Sequence, residues 1–232
     1  MMSRLFAKSQ NKLIGLLILS TIIPVSIIGG YSISSSTQAL NDLVVNQMND
    51  RAINSSEKIS TFLETIGGDV LFLSDVPPVQ GIIRARENRG FDKKDKSSYE
   101  AWVSRLNIHF LQMMAAKPYY DKLRYLDENG KEMVRIDLTN NGKTRIVPPS
   151  ELQSQANTEY FIETMKLGPR NIYFSPVNLK RDGEKLEIPH KPIIRCSIPI
   201  YSPNGKKKGI LVANISAEYF LDNMLAQKYK LE

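Results

Sequence analysis

The chain has 232 residues, 42% of them hydrophobic and 24% charged, enough for one ordinary domain with its own core besides extra helix. Its single cysteine, Cys196, excludes an internal disulfide framework, and the two histidines have no Cys/His cluster from which to build a zinc site. The formal charge of +7 comes from scattered lysines and arginines, which suits attraction to small anions or lipid headgroups rather than to nucleic acid.

The run Leu13 to Ile33 carries no charge and follows Arg4, Lys8 and Lys12. At ~1.5 Å per residue it is long enough to cross a bilayer core of roughly 30 Å as one helix. The first acidic residues, Asp42 and Asp50, lie beyond it, so the positive-inside rule puts residues 1–12 in the cytoplasm and the bulk of the chain outside. A cleaved signal peptide would carry a shorter apolar stretch of roughly 7–15 residues and an A-x-A-like site. The length of the run and the lack of such a site favour an uncleaved transmembrane helix over 13–33. Pro24 within it is tolerable where the freed carbonyl finds another donor.

From Thr37 to Leu73 apolar residues recur every three or four positions, through Leu40, Val44, Met48, Ile59, Phe62, Ile66 and Val70. That spacing predicts a long amphipathic helix over 34–75, close to the membrane and able to pair with a second copy. Gly67-Gly68 interrupts it and marks either a bend or a close contact. Asp75-Val76-Pro77-Pro78 ends this helix and opens a short one to about Glu87. After a polar loop, Ser97 with Glu100 forms a capping-box pattern for a helix through Trp102, Leu106, Phe110 and Met113, closed by Pro118.

Beyond Pro118 the period shifts to alternation. Lys122–Asp127, Glu132–Leu138, Asn171–Val177, Ile193–Ile200 and Gly209–Ile215 read as strands, punctuated by Asn129-Gly130, Asn141-Gly142, Asp182-Gly183 and Asn204-Gly205. One helix interrupts them, with Asn157 as its N-cap and Gly168 as its stop. The order predicts an α+β fold, a five-stranded antiparallel sheet covered by helices.

Alternation also separates the faces of that sheet. Val134, Ile136, Phe174, Ile194, Cys196, Ile198, Leu211, Ala213 and Ile215 form a core face, where Cys196 is an inert thiol. Arg135, Asp137, Tyr173, Ser175, Arg195, Ser197 and Asn214 form a polar one. Two guanidiniums, a carboxylate and hydroxyls on one face describe either a ligand cavity or a solvated sheet face. No nucleophile elbow, zinc-protease, phosphate-loop or dinucleotide pattern occurs, so nothing points to an enzyme, a cofactor or a metal.

Particular segments resemble a known family: KLRYLDENGKEMVR at Lys122–Arg135, YFSPVNL at Tyr173–Leu179, PHKPIIR at Pro189–Arg195, and KGILVAN at Lys208–Asn214. They are similar to extracytoplasmic Cache domains, PAS-like sensors of bacterial membrane receptors, and especially to the membrane-distal module of double-Cache histidine-kinase sensors. The resemblance covers roughly Phe62 to Leu225 and implies a sensor domain over 76–225. It implies a small ligand, an amino acid or other carboxylate, held by Tyr160, Tyr173, Ser175 and Arg195, with Arg135 and Asp137 as further candidates. Together with the membrane helix, the long amphipathic helix and the external location, this gives the expectation of a homodimer in the inner membrane, with no nucleic-acid partner. A double-Cache receptor would continue into a second module, another membrane helix and an output domain, so residues 226–232 are read as a truncated tail. A ligand-free module that binds a partner protein is the alternative reading.

Overall fold

A computed structural model describes residues 2–182, 185–186, 188, 190–219 and 221. By internal contacts the chain divides into two units, Met1–Lys58 and a second beginning at Ile59. Helix α1 (Met2–Asp75) supplies the first unit entirely. Its apolar side chains between Ile14 and Ile33 all point outward. Within that run the Ser20 and Thr21 hydroxyls donate back to the Leu17 and Ile18 carbonyls. The helix is long and apolar enough to cross a membrane.

The second unit starts with the last turns of α1, where Ile66, Val70 and Leu73 are buried. Gly67 marks a close approach rather than a break. The helix runs through it, and a Cβ there would meet the Ile172 side chain at 3.1 Å. Helix α2 (Pro77–Glu87) opens on its prolines, as the sequence predicts. A two-residue ladder of β1 (Phe91–Asp92) and β2 (Ser97–Ser98) leads into α3 (Tyr99–Ala116). The cap is Ser98, whose hydroxyl accepts from the Ala101 amide at 3.1 Å, one residue past the expected Ser97. Trp102, Leu106, Phe110 and Met114 form the buried stripe of α3. Gly81 lets α2 lie against it, because a Cβ there would stand 2.2 Å from the Trp102 ring. The junction is tied by Asp92, which accepts from Arg84 Nη2 at 2.7 Å, Trp102 Nε1 at 3.1 Å and the Lys94 amide at 3.0 Å. The Arg84 bond in particular holds the Asp92 carboxyl down at about 2.

The antiparallel sheet comprises β3 (Tyr120–Leu126), β4 (Glu132–Leu138), β5 (Thr144–Ile146), β6 (Tyr173–Phe174), β7 (Asn178–Leu179), β10 (Pro192–Tyr201) and β11 (Lys207–Ser216). Its order is β5-β4-β3-β11-β10-β6, with β7 also paired to β10. A separate ladder joins β8 (Arg181–Asp182) to β9 (Lys185–Leu186). Seven strands therefore replace the expected five, the additions being β5 and β7, and the strand expected over Asn171–Val177 shrinks to two paired residues. Gly130, Gly142 and Gly205 take positive φ in their turns. Gly183, of the expected fourth turn, lies outside the described residues, as does the expected tail over 226–232.

One face of this sheet is the core. Leu123, Tyr125, Val134, Ile136, Cys196, Ile198, Leu211, Ala213 and Ile215 pack there with α2, α3 and the end of α1. Burial pushes the Cys196 thiol far above its ordinary value, so it is inert. The opposite face carries α4 (Glu159–Lys166), which lays Tyr160 and Phe161 over Leu126, Ile210 and Val212. Thr158, not Asn157, holds the N-cap position and makes no capping bond from its side chain. The helix is pinned to β10 by a 2.5 Å contact between the Thr164 and Ser197 hydroxyls. At its other end the Leu167 carbonyl accepts from Lys207 Nζ at 2.9 Å and Tyr201 Oη at 3.0 Å.

Candidate functional site

Strand register builds the site before any side chain is considered. Arg195 pairs with Asn214, Asn214 with Lys122, Lys122 with Asp137, and Asp137 with Arg145, one row across five strands. Two residues further along, Ser197, Val212, Arg124 and Arg135 form the next row. Because directly opposed residues share a face, both rows point away from the core. The α4 helix and the segment 153–158 roof part of them, enclosing a cavity of ≈ 230 Å³.

Tyr160 is the centre of that roof. The Arg124 and Arg195 guanidinium carbons lie 5.2 Å and 5.3 Å from its ring centroid, and its hydroxyl donates to Gln155 Oε1 at 3.0 Å. Arg124 Nη2 donates to Asn214 Oδ1 at 3.1 Å and Nη1 to Glu132 Oε1 at 3.4 Å. Glu132 is fully buried and also accepts from Arg135, the Gln153 amide and Gln155 Nε2, which fastens the 153–155 segment to the sheet. Asp137 takes Arg135 Nε at 2.8 Å and Nη2 at 2.6 Å, a bidentate pair. Lys180 Nζ reaches the buried Asp121 at 2.8 Å.

The electrostatics of the cavity are unbalanced. Burial first, and the charge of Arg124 second, push the Arg195 guanidinium below its ordinary value. Burial, again reinforced by Arg124, brings Lys122 down to about 8. The Nε atoms of both Arg124 and Arg195 are buried without a hydrogen-bond partner among the described residues. Donors in that position cost free energy unless something brings an acceptor. An anion with planar oxygen geometry would do so.

Of the residues singled out in the sequence, Arg135, Tyr160 and Arg195 line this cavity, as does Asn214 of the polar face. Asp137 lines an adjoining hollow of ≈ 520 Å³. Tyr173 packs against the apolar cluster that α4 forms with Leu126, Ile210 and Val212, and Ser175 accepts from the Arg195 amide at 3.0 Å while donating to the Pro176 carbonyl at 2.8 Å. Neither is among the lining residues. Lys122 and Arg124 escape the sequence reading, although the alternation Lys122-Leu123-Arg124-Tyr125 carries the same signal as the other strands. Gln153, Gln155 and Lys180 come from loops, where no period reveals them. Among the described residues no group of three or more His, Cys, Asp or Glu stands together as a metal site would require.

A family model described as bacterial histidine kinase, sensor domain, matches residues 93–229. No curated protein matches the chain. Solved structures with a similar fold include a domain of a sensory box/GGDEF family protein from Vibrio parahaemolyticus, with TM-score 0.62 and 22% identity over 75% of this chain and 60% of that one. The extracellular domain of the histidine kinase vpHK1S-Z8 aligns with TM-score 0.61 and 22% identity over 75% of this chain and 57% of that one. The sensory domain of the Campylobacter jejuni chemoreceptor Tlp3, solved with isoleucine bound, aligns with TM-score 0.52 and 14% identity over 82% of this chain and 66% of its own length. At these identities the likeness concerns the fold, and the chain spans 57–60% of the first two structures. It agrees with the family resemblance in the sequence.

Proposed function

Because this chain belongs to the bacterial histidine kinase sensor domain family, we propose that the cationic cavity under α4 receives a small carboxylate and reports its presence to α1. The observation that carries this reading is the pair of arginines against Tyr160, each with a buried Nε that has no acceptor among the described residues. A carboxylate supplies acceptors in the geometry a guanidinium prefers, and burial strengthens such bonds. The isoleucine bound to the Tlp3 sensory domain is an acid of this kind, which supports the reading by analogy of fold.

A route for the signal runs along β3. That strand places Lys122 and Arg124 at the cavity and ends at Tyr120, whose hydroxyl donates to Asp69 of α1 at 2.7 Å. Lys117 Nζ holds the same carboxylate at 2.5 Å. A ligand that binds one setting of β3 better than another shifts α1 by that difference in affinity and no more. In this reading residues 13–33 span the inner membrane with the N-terminus inside, the sensor lies outside, and two copies pair along the exposed Leu40, Val44 and Met48 of α1.

The test is thermal unfolding of the full chain in lipid nanodiscs with acetate, pyruvate, succinate and isoleucine as probes. At least one acid raises the midpoint for the native chain and fails to do so for Arg195→Ala, whose own unfolding remains cooperative. An unchanged response in the variant removes Arg195 from the site. No response to any acid, together with a stable protein complex captured by the ligand-free chain, favours a partner-binding module instead.

A further inference from the structure

The cavity is the inner of two connected chambers. Lys122, Arg135, Gln153 and Lys180 line both it and the adjoining hollow of ≈ 520 Å³, whose outer wall adds the charged groups Asp137, Arg145 and Glu151. Apart from Tyr160, the apolar side chains lining either chamber are Ile193 in the inner one and Leu138 in the outer one. An aliphatic ligand side chain therefore finds almost nothing to pack against, and burying it among amides and cations would cost rather than gain.

The charges narrow the ligand further. Every carboxylate at the site already faces a cation: Glu132 meets Arg124 and Arg135, Asp137 meets Arg135 and Lys122, and Asp121 meets Lys180. Arg195 stands outside this pairing: among the described residues it makes no salt bridge, the exposed Glu159 acts on it only through its charge, and the Nε atoms of both Arg195 and Arg124 are unpartnered. At the outer end Arg145 is half-exposed and pairs with the exposed Glu151, a contact that solvent keeps weak. An α-ammonium group would add positive charge where cations already outnumber carboxylates. A second acid group would instead meet Lys122, Arg135 and Arg145 in the outer chamber.

We propose that the ligand is a small dicarboxylate without an ammonium group, one acid against Arg124 and Arg195 under Tyr160 and the other in the outer chamber beside Arg145. This rests on the carboxylate-binding reading given above, and the probes separate the two. Binding to the full chain in nanodiscs is measured at fixed ionic strength with succinate, glutarate, aspartate, butyrate and isoleucine. Succinate or glutarate binds roughly tenfold tighter than butyrate, as expected for one additional charge-assisted contact. Aspartate, which differs from succinate by an ammonium group, binds more weakly than succinate. Arg145→Ala weakens the dicarboxylate severalfold and leaves butyrate unchanged.

Equal affinity for butyrate, or tighter binding of isoleucine or aspartate, overturns the dicarboxylate and leaves a carboxylate sensor standing. An Arg145→Ala effect equal for both acids also overturns it, because the second acid is then not in the outer chamber. Failure of all five acids to bind overturns both readings.

Discussion

The two faces of one sheet obey opposite rules. On the face toward α2 and α3, Leu123, Ile136, Cys196, Leu211 and Ala213 are all 0% exposed, and the helices above them fit closely enough that Gly81 has no room for a Cβ. On the face toward α4, the same strands place Lys122, Arg124, Arg135 and Arg195 in neighbouring positions, with donors buried and unpartnered. The first arrangement minimises the free energy of the folded chain. The second tolerates charge repulsion that a better-packed face would not contain. In the proposed reading, stability and recognition are allotted to alternate residues of a single strand, with Leu123 and Tyr125 of β3 in the core and Lys122 and Arg124 at the cavity.

That contrast can be broken most forcefully from the apolar side. Phe110→Ala removes a fully buried ring from the helix layer and should lower the unfolding free energy by about 3–5 kcal/mol in chemical denaturation, with acid binding retained at temperatures where the chain stays folded. Asp92→Asn, at the α2–α3 junction, comes next at ~2 kcal/mol near neutral pH, because Arg84 loses its buried carboxylate partner and keeps only the exposed Asp95. The Asp92 carboxyl lies at about 2 when folded, below its ordinary value, so its contribution is present above pH ~4 and is lost as the pH falls toward 2. An acid-denaturation profile should therefore flatten over that window in the variant. A profile identical to the native one would show that the junction does not depend on this charge.

The polar side should respond in the opposite direction. Arg195→Met replaces a partly buried, mutually repelled cation with an apolar side chain and should raise the unfolding free energy by about 1 kcal/mol while abolishing acid binding. Loss of both together would mean that Arg195 supports the fold rather than the ligand. The smallest effect is the titration of Lys122. Its folded value of about 8 lies below the ordinary ~10.4, so between those values the unfolded chain holds a proton that the folded one does not. The ligand-free chain should therefore gain stability as the pH rises from 8 to 10. Acid affinity should fall over the same rise from pH 8 to 10, by roughly three- to tenfold, as a cation leaves the cavity. Parallel pH profiles for stability and affinity would remove Lys122 from the site.

How much is legible beforehand follows from the length of each element, with the exception of β3, which is as long as β4 and carries the same alternation although Lys122 and Arg124 escape the sequence reading. Residues of β4, β10 and β11 were separable into faces because each strand runs long enough for alternation to repeat, which is how Arg135, Asp137, Arg195 and Asn214 could be grouped. Tyr160 came from the family resemblance and from a short helix whose position over the sheet no local pattern states. Arg145 lies on the three-residue β5 and Leu179 on the two-residue β7, too short to show a period, and these are the strands that the expected five omit. Tyr173 has the right parity but sits where α4 covers the sheet with apolar groups, so parity alone places it on the face without bringing it to the cavity. Ser175 is engaged by backbone, which side-chain chemistry cannot forecast.

The burial of Cys196 has a practical consequence. Its thiol is sealed on the core side of β10 and held protonated, and the sequence contains no other cysteine. A cysteine introduced on α1, at Val44 or Met48, would thus be the one thiol that a crosslinking reagent or spin label meets. Whether two copies lie side by side, and whether an added acid alters their spacing, becomes readable in the native background without first removing a competing thiol.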